Sequence, residues 1–87
     1  MIPHYRVRLR PSAVKQLKGL PGEVLPRMVK TIDSLAGHTR PTGENKLSEA
    51  EHLYRLRLGG YRVVYQINDQ EGMVLVLSIG TLRDILR

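Results

Sequence analysis

Leu53-Tyr54-Arg55-Leu56-Arg57-Leu58-Gly59-Gly60-Tyr61-Arg62-Val63-Val64-Tyr65 decides how this chain reads. Two alternating runs flank a Gly-Gly pair, the pattern of two β-strands joined by a tight turn, where glycine accepts positive φ without steric cost. Side chains alternate between the faces of a strand, so Arg55 and Arg57 share one face and Tyr54, Leu56 and Leu58 the other. No acidic residue lies between Leu53 and Tyr65. With Arg62, three guanidiniums sit on one hairpin without a local counter-ion. Arginine grips phosphate in a planar, two-pronged way, so the hairpin is suited to holding a phosphate backbone. The plainer alternative is a solvated sheet face, or arginine stems lying over apolar surface.

The strands' surroundings predict the rest of the fold. His4 to Arg10 alternates, with Tyr5, Val7 and Leu9 on one face and Arg6, Arg8 and Arg10 on the other, as in a half-buried strand. Those arginines could extend the basic face of the hairpin, but better suit an edge strand, where charge discourages sheet-to-sheet pairing, or a surface for a partner protein. Pro11 ends this strand, and Ser12 is the expected N-cap of a short helix carrying Ala13, Val14, Leu17 and Leu20 on one side. Leu20-Pro21-Gly22 breaks it. Val24, Leu25, Met28, Val29, Ile32, Leu35 and Ala36 trace one face of a second helix. Pro26 is tolerable if that helix begins near Glu23 or later, and Gly37 is its expected stop. His38 to Ser48 reads as a polar loop. Asn68 to Gly72 is a turn, and Met73 to Gly80, apolar on both faces, is an interior strand. The tail from Thr81 to Arg87 is short, about one helical turn. The expected fold is α+β in the order β-α-α-β-β-β. An N-terminal helical hairpin packs on one face of a largely antiparallel four-stranded sheet, and the other face stays open. Residues 1–87 read as one domain.

Composition narrows the partners. The 87 residues carry a net charge of +6. Residues 1–43 hold eight Lys/Arg against Glu23 and Asp33, while the charges of residues 44–87 balance. Such a basic domain meets nucleic acid or an acidic protein, or presents a solvated basic surface. There is no cysteine, which suits a cytoplasmic protein and excludes disulfide staples. No metal-type spacing and no cofactor motif occurs. No apolar run approaches a membrane span, and MIPHYRVRLR is too charged for a signal peptide. Tyr54 and Tyr65 belong to the core with anchored hydroxyls. Tyr61 shares their face. His52 is a candidate proton carrier at the strand entrance, although an exposed loop histidine is commoner.

The element order, with Lys46-Leu47, Tyr54-Arg55-Leu56-Arg57, Gly60-Tyr61-Arg62-Val63-Val64-Tyr65 and Val76-Leu77-Ser78-Ile79-Gly80, resembles the RelE/ParE toxin superfamily over nearly the whole chain. The resemblance implies a toxin of a type II toxin–antitoxin pair. RelE-like members cut mRNA in the ribosomal A site without a metal, whereas ParE-like members poison DNA gyrase. Both kinds are silenced by an antitoxin whose extended segment wraps the toxin. By position, Arg55 and Arg57 match the two basic residues of the family's second strand. Arg62 matches the basic residue after the turn, implying phosphate stabilisation. Lys46 is expected in the loop preceding the cleft, where it could help bind RNA backbone. RelE-like nucleases follow the last strand's glycine with a basic pair and end on an aromatic. Here Arg83 keeps the second basic position, while Leu82 and Leu86 replace the first arginine and the aromatic. The resemblance therefore implies a ribosome-dependent mRNA endonuclease with Arg55, Arg57, Arg62 and Arg83 as its catalytic set and a RelB-like antitoxin as partner. Its alternative is a gyrase inhibitor, or a toxin-fold protein that acts by binding.

Overall fold

The structure, a computed structural model, describes residues 4–40 and 44–81. Its elements run β1 (Arg6–Leu9), α1 (Pro11–Lys18), α2 (Leu25–Ser34), β2 (Glu44–Ser48), β3 (Leu53–Leu58), β4 (Tyr61–Asn68) and β5 (Met73–Thr81). The sheet has five strands in the order β1-β5-β4-β3-β2, with β1 parallel to β5 and the other pairs antiparallel. This is the expected α+β arrangement with one strand more than expected. The extra strand, β2, lies in the segment that reads as a polar loop. Glu44–Ser48 has no β-branched residue and pairs on one side only, with β3. Its conformation comes from the ladder it joins rather than from its own propensity.

Helix starts and stops also depart from the expected positions. α1 begins at Pro11, with Arg10 as the N-cap and no side-chain cap, so Ser12 lies inside the first turn. Proline's fixed φ suits the first helical position, and its missing N–H has no intrahelical partner there anyway. α2 begins at Leu25, placing Pro26 in the first turn. It ends at Ser34, before Gly37, and Leu35 at its C-cap keeps right-handed helical geometry. Positive φ in glycine occurs instead at Gly59 and Gly72, the two hairpin turns. At Gly59-Gly60 only the first residue has φ > 0, the φ pattern of a II′ turn.

The core lies between the helices and the inner sheet face. Ala13 of α1 and Met28, Ile32 and Leu35 of the α2 stripe meet Tyr54, Leu56, Val63, Tyr65, Val74 and Ile79. Val29, at the stripe's margin, is 38% exposed. Tyr54 and Tyr65 stack at 5.8 Å between ring centroids. The Tyr65 hydroxyl donates to the Thr39 carbonyl at 2.9 Å, and the Tyr54 hydroxyl accepts from Arg40 Nε at 3.2 Å. Met28 is fully buried, so Met28→Ala leaves a cavity and costs about 2–5 kcal/mol, read as a lowered urea midpoint with unchanged m-value.

A polar clasp closes one end of this layer. The Tyr5 hydroxyl donates to Asp69 Oδ1, and Arg40 Nη2 pairs with Asp69 Oδ2 at 3.0 Å, joining the start of β1, the segment after α2 and the β4–β5 turn. The Tyr5 hydrogen bond, then the Arg40 hydrogen bond, hold the Asp69 carboxyl below its ordinary value of 3.8. A carboxyl depressed in the folded chain contributes stability that is full above its unfolded value and is lost as pH falls through the folded one. Below about pH 4, wild type should therefore lose more stability than Asp69→Asn, measured by urea unfolding at pH 6 and pH 3.

Candidate functional site

The hairpin register builds the site. Across β3 and β4, Leu58 pairs with Tyr61, Arg57 with Arg62 and Arg55 with Val64. Paired residues point to the same side of a sheet, so all three arginines share the face away from the helices. Across β4 and β5, Arg62 pairs with Gly80 and Val64 with Ser78. One row of this open face thus reads Arg57–Arg62–Gly80 and the next Arg55–Val64–Ser78. Gly80 places no side chain opposite Arg62.

The register places Ser78 and Gly80 here because β5 carries a bulge. Val64 pairs with Ser78 but Tyr65 pairs with Val76, so Leu77 is an extra residue. Side chains have a period of two along a strand, and one inserted residue exchanges the faces of all that follow. Val74 and Val76 before the bulge, and Ile79 after it, therefore all point into the core.

Arg62 is the unusual member of the set. It is 7% exposed, and its Nη1 is buried with no hydrogen-bond partner. Burial first, and then the like charges of Arg55 and Arg57, push its guanidinium below its ordinary value. Arg57 is exposed, and its Nε donates only a long 3.4 Å bond to the Gly59 carbonyl. Like charges directly opposite one another destabilise a sheet. No described carboxylate lies in either row. An unpartnered donor, buried among cations, is a strong acceptor's site: the arrangement can hold a phosphate oxygen and neutralise charge gathering on it.

Other sequence candidates lie elsewhere. Lys46 is in a strand rather than a loop, in register with Tyr54 on the helix side of the sheet. Its ammonium lies 5.8 Å from the Tyr54 ring centroid and pairs with Glu49 at 3.0 Å, so the fold does not bring it to the arginines. His52 precedes β3 with φ of 56° and is exposed. It stands five residues from Arg57, about 16 Å along the strand. Arg6 and Arg8 face the open side from edge strand β1, opposite Met73 and Leu75. Arg83, Leu82 and Leu86 lie outside the described residues. Among the described residues, no group of three or more His, Cys, Asp or Glu is arranged to hold a metal ion. None of their helices is long and apolar enough to cross a membrane. Sequence reasoning missed Gln16, whose side-chain oxygen accepts from the Ile79 N–H at 2.7 Å. Nothing in a single amphipathic helix signals such a contact.

The fold is that of a small toxin of the RelE/ParE type. Residues 7–86 match the family of the ParE toxin of the type II toxin–antitoxin system parDE, and the chain belongs to that family. The archaeal RelE–RelB complex from Pyrococcus horikoshii OT3 contains a chain that superposes with a TM-score of 0.82 at 31% identity, covering 90% of this chain and 94% of that one. The intact Escherichia coli RelBE toxin–antitoxin complex gives 0.76 at 29% identity over 88% and 95%. A phosphate acyltransferase from Methylococcus capsulatus is 36% identical over 67 residues, 74% of this chain. The chain spans one fifth of that enzyme's length, which carries no acyltransferase assignment to it.

The uncompensated arginines predict a stability signature. Arg62→Met keeps an apolar stem of similar reach and removes the buried unpartnered charge. Its thermal midpoint in low salt should exceed wild type. The gap should narrow as sodium chloride screens the repulsion among the arginines of the wild-type chain, read by thermal melts across ionic strength.

Proposed function

We propose that this toxin is a metal-independent, ribosome-dependent mRNA endonuclease that arrests translation. Residues 1–87 form its single toxin domain, acting in the cytoplasm and silenced by a RelB-like antitoxin. The observation that carries the proposal is the buried, unpartnered Nη1 of Arg62, with Arg55 and Arg57 beside it in strand rows that hold no described carboxylate. In the reaction a ribose 2′-oxygen bonds to the adjacent phosphorus and the bond to the 5′-oxygen breaks, leaving a 2′,3′-cyclic phosphate. Negative charge gathers on the phosphoryl oxygens, where Arg62 stabilises it and Arg55 and Arg57 bind the flanking backbone. Arg83, placed by the family pattern alone, adds a fourth cation. Arginine stays protonated at neutral pH, so these groups stabilise charge; the 2′-hydroxyl proton leaves to an acceptor outside the arginine set, and the departing 5′-oxygen takes a proton from outside it to end as a 5′-hydroxyl. An activity confined to the ribosome, which brings other acceptors to the mRNA, is consistent with that division.

The antitoxin partner is supported by the two solved relatives, both described as complexes with their antitoxins. A basic surface of this kind suits an acidic segment that orders on binding.

A second reading, inhibition of DNA gyrase, is favoured by the ParE family match and by Leu82 and Leu86 at the positions where the resemblance expects an arginine and an aromatic. Induction without antitoxin separates the two. Primer extension should map new 5′ ends within A-site codons of translated mRNA, and Arg62→Ala should lower cleavage by about 10²–10³-fold while the chain stays folded. SOS induction with intact mRNA would establish the gyrase reading instead, and full-rate cleavage by Arg62→Ala would remove Arg62 from its role.

A further inference from the structure

We infer that Gln16, on α1 and outside the arginine set, is a positioning residue for the Arg62 site, holding the end of β5 that carries Gly80 across from Arg62. The inference rests on the phosphate reading of that site.

β5 is held unevenly along its length. On the β1 side its ladder covers Met73 to Val76, and the Arg10 N–H to the Val76 carbonyl, 2.9 Å, continues it by one bond. The chain then turns into α1. From Leu77 to Gly80, no described strand pairs with β5 on that side. This is also where the Leu77 bulge has interrupted the ladder and exchanged the faces. Past a bulge, a strand held by one ladder depends more on contacts made from outside the sheet.

Gln16 supplies a constraint there. Ile79 is 2% exposed, and a buried backbone N–H without a partner is costly. It donates to Gln16 Oε1 at 2.7 Å, two residues beyond the bulge and one before Gly80. Beside this contact, Gly19, Leu20, Pro21 and Tyr61 border an open hollow of about 360 Å³. The amide thus ties the exchanged register to the helix layer. Gln16 itself is exposed and borders the inward line of Ala13, Leu17 and Leu20. Loss of its acceptor lets the 78–80 segment move, and with it the backbone that lies opposite Arg62.

The test follows the Arg62 Nε–Hε resonance in the ¹⁵N-labelled full chain during titration with inorganic phosphate. Gln16→Ala should shift that resonance and weaken phosphate binding by about threefold to tenfold, the span of one hydrogen bond. Gln16→Met, similar in shape but lacking the acceptor, should do the same and serves if the alanine variant does not fold. Gln16→Glu keeps an oxygen for the Ile79 N–H and should restore both readouts. A wild-type Arg62 resonance and phosphate affinity in the folded Ala or Met variant overturns the positioning role, as does a folded Gln16→Glu that fails to restore them. Wild-type phosphate binding by Arg62→Ala would overturn the phosphate reading instead. The Arg62 resonance in the Gln16 variants decides the positioning role in either case.

Discussion

Between Val76 and Ser78 the ladder joining β5 to β4 takes in one extra residue, and the arrangement of the open face depends on it. Without Leu77 as a bulge, alternation would turn Ser78 and Gly80 toward the helices and Ile79 toward the open face. Arg62 would then face a branched side chain across the sheet, and Ile79 would leave the core. The bulge reconciles two demands on one strand: Val74, Val76 and Ile79 under the helices, and small residues beside the arginines. A bulge next to a site re-aims side chains at the cost of local pairing.

Charge is distributed to match. Asp69 is engaged by Arg40 and Tyr5, and Glu49 by Lys46, which leaves the rows of Arg55, Arg57 and Arg62 without a described carboxylate. A fold selected for stability alone would place an acid beside a buried guanidinium. This one leaves Arg62 Nη1 unpartnered and sets Arg57 directly opposite Arg62. Strain of this kind is tolerated where the rest of the fold is stable enough to hold it. The core beneath, with its stacked tyrosines and fully buried Met28, is what keeps the hairpin rigid against that repulsion.

Much of this was legible before the structure. The hairpin, the common face of Arg55 and Arg57, the α2 stripe and the interior character of β5 follow from periodicity, because faces alternate by two in a strand and by 3.6 in a helix. Local signals misled where two devices compete. Pro11 both ends a strand and opens a helix, so Ser12 was not needed as a cap. Gly37 marks no helix stop, because α2 ends earlier at Ser34. β2 was hidden because an edge strand with one apolar residue, Leu47 at 46% exposed, has no pattern of its own. Lys46 went with it: its side of the sheet is set by the β2–β3 register, which no local rule reveals.

The linear order of residues is enough for the class of fold, for which strands and helices bury an apolar face, and for the cluster of uncompensated arginines on one hairpin. These are properties of short segments, written in hydrophobic period and charge. Tertiary structure alone decided that Arg62 is buried with an unpartnered donor, that Leu77 bulges to bring Gly80 opposite it, that Lys46 lies behind the sheet, and that Gln16 reaches Ile79 across 63 residues. Each depends on the pairing register of distant segments, and a register is chosen by the packing of the whole layer.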